Sequence, residues 1–170
     1  MIKDFYSQST EYLFIPLEAH FEYQNPEYMA NSSLAIRRAN RTHLSMNVIF
    51  NYLQDVYEPE IHCEFKTFRN NEYKPTGIAF DLSLCDLMSD ADLNVYKELM
   101  SDGIHGNIPE CDDVMPKGNY WMKDVVVSSK IKKSIFLPGK WRTEFVVVDK
   151  NNVKIFAGAT VIQIDEILSN

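Results

Sequence analysis

The side chains best suited to acid–base or metal chemistry are four histidines, His20, His43, His62 and His105, and they are scattered through separate strands and loops with no metal-ligand spacing. His62 adjoins Cys63, but neighbours in a strand point to opposite faces, so the two cannot act as base and nucleophile for one another. Asp90, Asp92 and Asn94 imitate the opening of a calcium loop. The sixth position is then Val95 where that loop needs glycine, and the twelfth is Ser101 where it needs glutamate. These residues read instead as a helix N-terminus, where carboxylates interact favourably with the dipole. Asp112 and Asp113 adjoin Cys111 in a turn and read as solvated. Gly103-Ile104-His105-Gly106 does not follow a strand and reads as a loop, and no dinucleotide or P-loop fingerprint is present. With every catalytic template short of its required residues, the expectation is a non-enzymatic protein with no cofactor and no metal.

Three cysteines remain: Cys63, Cys85 and Cys111. Cys63 shares a strand face with Ile61 and Phe65 and reads as an inert core thiol. Cys85 and Cys111, with 25 residues between them, admit two readings. They could close a loop as a disulfide, worth roughly 3 kcal/mol in the chain-entropy model, or stay reduced and buried. Asn31-Ser32-Ser33 and Asn40-Arg41-Thr42 match the glycosylation pattern, which is short enough to arise by chance.

The elements that must position these residues are mostly strands. The chain has 170 residues, 45% of them hydrophobic and 24% charged, which suits one domain over 1–170 with a full core. Its net charge of −7 makes nucleic acid a poor partner. The basic clusters Arg37, Arg38, Arg41 and Lys130, Lys132, Lys133 read as solvated strand ends or turns. No run approaches the ~20 apolar residues of a membrane span, and the first residues hold no apolar leader segment.

Leu44, Met46, Val48 and Phe50 alternate with Ser45, Asn47 and Asn51, the pattern of a half-buried antiparallel strand. Further strands are predicted over 12–23, 33–38, 61–68, 73–84, 119–127, 141–149 and 153–165. Ile78, Phe80, Leu82 and Leu84 share one face of the strand over 73–84, with Cys85 closing it. Asn-rich breaks at 69–72 and 149–152 predict hairpins, because Asn tolerates positive φ. One helix is predicted, capped by Ser89 or Asp90, carrying Leu93, Tyr96 and Met100 at helical spacing and stopped by Gly103. Many strands and one helix argue for a two-sheet antiparallel β-sandwich.

The order of strand, Cys85, helix, Cys111, then Pro116-x-Gly118-x-Tyr120 and a strand, with LSLCDLM, PECDDVMPKGNYWMKDV and LPGKWRTEFVVVD as anchors, resembles the insect chemosensory family called CheA and CheB. That family belongs with the lipid-recognition sandwiches typified by the ganglioside activator protein. The resemblance covers roughly residues 40–165, and it departs at Asp112, where many relatives carry proline.

The resemblance implies a disulfide between Cys85 and Cys111, secretion, and glycosylation at Asn31 and Asn40. On that reading a leader has been removed before Met1, or the chain starts upstream. It further implies sheets splayed around an apolar pocket for a lipid or other hydrophobic small molecule, such as a pheromone or cuticular hydrocarbon, with a membrane receptor as possible partner. By face, Met46, Val48, Phe50, Phe65, Ile78, Phe80, Leu82, Phe145, Phe156, Ile162 and Ile164 are expected between the sheets, with Tyr96 and Met100 closing one end. The alternatives are a docking module with a filled core, and an intracellular enzyme with reduced cysteines.

Overall fold

Alternating side chains, Asn-rich turns and one capping serine account for most of the architecture. The computed structural model describes residues 11–38, 44–89, 105–126, 129–131 and 137–167. Among these the elements run β1 (Glu11–Gln24), β2 (Ser33–Arg38), β3 (Leu44–Tyr52), β4 (Val56–Tyr57), β5 (Glu60–Arg69), β6 (Glu72–Ser83) and α1 (Leu84–Ser89). They continue with β7 (His105–Gly106), β8 (Val114–Met115), β9 (Gly118–Val126), β10 (Ser129–Ile131), β11 (Gly139–Val148) and β12 (Lys154–Ile167). All pairings are antiparallel, in a six-stranded sheet ordered β10-β1-β12-β11-β5-β6, a four-stranded sheet ordered β2-β3-β9-β7, and a two-stranded ladder of β4 with β8.

Both predicted hairpins form. In β5–β6, Arg69 pairs with Glu72 and the turn residues Asn70 and Asn71 have φ of 52° and 63°, the left-handed values that match a two-residue turn to the twist of its strands. In β11–β12, buried Asp149 organises the turn: its Oδ1 accepts the N–H groups of Asn151 and Val153, each at 2.9 Å, and its Oδ2 accepts the Tyr28 hydroxyl at 3.1 Å. The Pro116-x-Gly118-x-Tyr120 segment is also fixed locally, since the Tyr120 hydroxyl donates back to the Pro116 carbonyl at 3.1 Å.

Two elements depart from expectation. Leu84 and Cys85 leave the strand and open α1, because the Ser83 hydroxyl accepts the Asp86 N–H at 3.3 Å and caps this short helix. The body of the helix predicted after Ser89 or Asp90, with Leu93, Tyr96, Met100 and Gly103, lies outside the described residues. His105–Gly106, read as a loop, is a short strand paired with Lys123 and Met122 of β9. Cys85 and Cys111 form a disulfide, with Cα atoms 5.0 Å apart, that ties α1 to the segment entering β8.

The six-stranded sheet has two unlike faces. Across its central strands, Ile61, Cys63 and Phe65 of β5 stand opposite Val147, Phe145 and Thr143 of β11. Phe145 stands in turn opposite Gly158 of β12, and a methyl group there would come within 2.6 Å of the Phe145 ring and 2.5 Å of the His20 carbonyl. Only glycine lets β1 and Phe145 close on β12 at this point. The other face places the small residues Ala159 and Val161 beneath the charged side chains of the neighbouring strands. Arg142 donates to Glu22 at 2.6 Å and to Glu144 at 2.9 Å, and Lys66 reaches Glu144 at 2.6 Å. The Lys66 hydrogen bond is the main cause holding the Glu144 carboxyl below its ordinary pKa.

Candidate ligand-binding site

The apolar face of the six-stranded sheet meets the four-stranded sheet through aromatic rings. Phe50 of β3 lies 5.8 Å from Phe21 of β1 and 5.7 Å from Phe156 of β12, centroid to centroid. Phe21 and Phe156 are 5.5 Å apart in an edge arrangement, and Phe145 meets Phe156 at 6.3 Å. Tyr52 stacks on Phe50 at 5.9 Å. These spacings are those of direct aromatic contact, so the seam between β1, β12 and β3 is packed ring against ring.

The side chains expected between the sheets fall into three groups. Phe65, Phe156 and Ile164 are buried in the main core, and Phe50, Leu82, Phe145 and Ile162 are partly buried against it. Met46 and Val48 are buried in a smaller cluster with Leu34, Ile36 and Met122, and Phe50 touches both clusters. Ile78 and Phe80 form the third group. Phe80 pairs with Cys63 and Leu82 with Ile61, so Phe80 stands on the core face of β6, with its ring 5.3 Å from Phe65. It nevertheless remains 38% exposed, and Ile78, two residues earlier, 39%. Among the described residues strand β6 is the sheet's last strand, with a register shift opposite Glu64 and Lys66 and with Gly77 at φ 79°, so this stretch of apolar face runs out to an edge. Tyr96 and Met100 lie outside the described residues.

Phe21, Tyr52 and Trp141 are core partners that the sequence reading did not single out. Tyr52 was within reach, since it continues the Met46, Val48, Phe50 alternation by one step. Phe21 was not, because β1 has register shifts between Pro16 and Glu18 and between Phe21 and Tyr23, which break the period of two. Trp141 follows the turn at Pro138 and is fixed by its indole N–H donating to the Leu137 carbonyl at 2.8 Å.

The titratable groups near the apolar face are suited to packing. Burial pushes the Cys63 thiol up to about 11, with Asp81 adding to the shift, so at neutral pH it is an un-ionised thiol and a poor nucleophile. Burial raises the Tyr52 hydroxyl as well, and Tyr120 adds to it. His62, on the opposite face of β5 from Cys63, bonds Asp81 across the β5–β6 pair. Among the described residues, no three His, Cys, Asp or Glu side chains converge as metal ligands would, and no helix is long and apolar enough to cross a membrane. Asn31 is exposed at the turn before β2, with φ 53°; Asn40 lies outside the described residues. Compared with known proteins, the chain matches no family model, and no curated protein matches it significantly.

Proposed function

We propose that this is a secreted, non-enzymatic binding protein for a hydrophobic small molecule or lipid, built as a two-sheet sandwich of the lipid-recognition kind and related to the CheA and CheB chemosensory proteins. The observation that carries the reading is the apolar face at β6. Phe80 sits on the core side of its strand, against Phe65, yet more than a third of it is open, as is Ile78 beside it. Fully closing such residues would each contribute on the order of 1 kcal/mol, and a hydrocarbon chain lying along this edge would supply that closure. The meeting of rings from both larger sheets supports the sandwich, and the Cys85–Cys111 disulfide supports an oxidising compartment. Exposed Asn31 is an available glycan acceptor in that setting.

The test is binding of a fluorescent long-chain fatty acid to the wild-type protein and to Phe80→Asp, with the thermal midpoint of each measured alongside. A folded variant that has lost the probe supports the site. A folded variant that keeps wild-type affinity removes Phe80 from it.

A second reading, a receptor-accessory module that docks through its surface and holds no ligand, is favoured by the ring packing of Phe21, Phe50 and Phe156, which leaves that part of the interior filled. On that reading Ile78 and Phe80 belong to a protein contact. Wild-type protein that ignores every long-chain probe would favour it.

A further inference from the structure

The outer face of the four-stranded sheet carries a second feature, remote in chemistry from the apolar edge. Along β2 and β3 the inward residues are large: Leu34 and Ile36 pair with Val48 and Met46. The residues between them are short. Ser33, Ala35, Ser45 and Asn47 alternate with the core positions, and pairing sets Ala35 opposite Asn47 and Arg37 opposite Ser45. Short side chains in the middle and long basic ones at the margin make a hollow. An open concavity of about 500 Å³ lies here, with Arg37, Arg38 and Lys123 among its lining residues. That volume is within the usual range of small-ligand sites.

The charged residues that line this hollow are all basic: Arg37, Arg38 and Lys123. On the six-stranded sheet Lys66 and Arg142 are each held by a glutamate, and Lys74 by Glu72. Arg37, Arg38 and Lys123 form no ion pair with any described carboxylate. Lys123 is steadied by an aromatic contact instead, its Nζ 5.3 Å from the centre of the Trp121 ring. Ser45 is buried on the floor and bonds back to the Arg37 carbonyl at 3.4 Å, which fixes the base of that arginine. In a chain of net charge −7, a cluster of cations around a depression, none of them ion-paired with a described carboxylate, concentrates small anions at that place.

We infer that this hollow is a binding site for a phosphate monoester. A phosphate monoester brings close to two negative charges and three terminal oxygens, which several convergent donors can engage together, and arginine forks suit it. A carboxylate offers one charge and two oxygens and would leave part of the rim unused. The ester's carbon skeleton faces the less polar end of the hollow, where Ile49 pairs with Ser33 one step beyond Ala35. The chemistry is shared by a soluble phosphate ester and by the headgroup of phosphatidic acid.

The experiment is titration of the full chain with glycerol 3-phosphate by calorimetry, and in parallel co-sedimentation with phosphatidylcholine vesicles with and without phosphatidic acid. Wild type is compared with Arg37→Gln, Lys123→Gln, the double variant, and Lys66→Gln on the other sheet. The expected result is binding to at least one phosphate probe, weakened about tenfold by each hollow substitution, about a hundredfold by both, and unchanged by Lys66→Gln. Binding to glycerol 3-phosphate identifies a soluble ester as sufficient, and binding to phosphatidic acid vesicles alone identifies the lipid headgroup as the source. No binding of either probe by wild-type protein overturns the inference, as does equal binding by wild type and a double variant whose thermal midpoint is intact.

Discussion

The seam where β1 and β12 meet β3 and the outer edge at β5–β6 both use aromatic residues on the apolar side of the six-stranded sheet, and they end differently. At the seam, Phe156 has Phe21, Phe50 and Phe145 around it and is 4% exposed. At the edge, Phe80 has Phe65 on one side and is 38% exposed. One residue type thus does two jobs according to where its strand lies in the order. Strand β12, flanked on both sides, places its phenylalanine where rings from two sheets close on it. Among the described residues strand β6 has a neighbour on one side only, and its apolar face is left partly uncovered. An apolar residue closed in by its own chain supplies stability, whereas one that its chain leaves open is available to a ligand or a partner.

The comparison is broken most forcefully at the seam. Phe156→Ala is expected to cost about 3–5 kcal/mol, because the cavity it leaves is walled by rings that cannot all collapse inward; a urea titration would read this as a large fall in midpoint. Replacing Cys85 and Cys111 together by serine should cost roughly 3 kcal/mol through the freed loop, read by the same titration. If the double variant matched wild type, the link between α1 and the β8 segment would be held by packing alone.

At the edge, Phe80→Ala should cost roughly 1 kcal/mol, well below its counterpart Phe156→Ala, since much of that ring is already in water. Equal losses at the two positions would erase the distinction between closed seam and open edge. The smallest effect belongs to the charged outer face. Lys66→Met removes the main cause depressing Glu144, so it should cost under about 1 kcal/mol at neutral pH, reduced by solvent screening of a partly exposed pair. Because the folded pKa of Glu144 lies below its ordinary value, the stability it contributes is present above that ordinary value and is lost as pH falls through the folded one. The difference between wild type and Lys66→Met should therefore vanish in acid, as stability measured across a pH series would show.

Much of the fold was legible because its signals are local. The pair Asn70-Asn71 announces a left-handed turn by residue type alone, and the alternation of Met46, Val48 and Phe50 gives both a strand and its buried face. Where the signals conflict, sequence reasoning went astray. Leu84 and Cys85 read as the end of a strand, yet the Ser83 cap and the Leu84 N–H donating to the Pro59 carbonyl turn them into α1. Two-residue strands such as β7 carry no period to detect. Ser45 reads as outward and polar, yet it is buried, with its hydroxyl turned back to the Arg37 carbonyl.

Around the candidate site, alternation marks most of the apolar side chains that pack into the core but not their accessibility. Phe65 and Phe80 look equivalent in a pattern of alternation; the strand order makes one a core residue and the other an edge residue. The hollow of Ser33, Ala35, Ser45 and Asn47 was hidden for a related reason. The pattern marks these positions as facing away from the core, but their shortness matters only once β2 and β3 are set side by side.

The central claim, that the open apolar edge serves a hydrophobic ligand, is tested most directly by native mass spectrometry of protein secreted from insect cells, followed by organic extraction of what co-purifies. The account predicts a hydrophobic adduct on the wild-type protein, with Cys85 and Cys111 oxidised, that is absent from folded Phe80→Asp. A bare mass for the wild-type protein that also takes up no added long-chain lipid would contradict it.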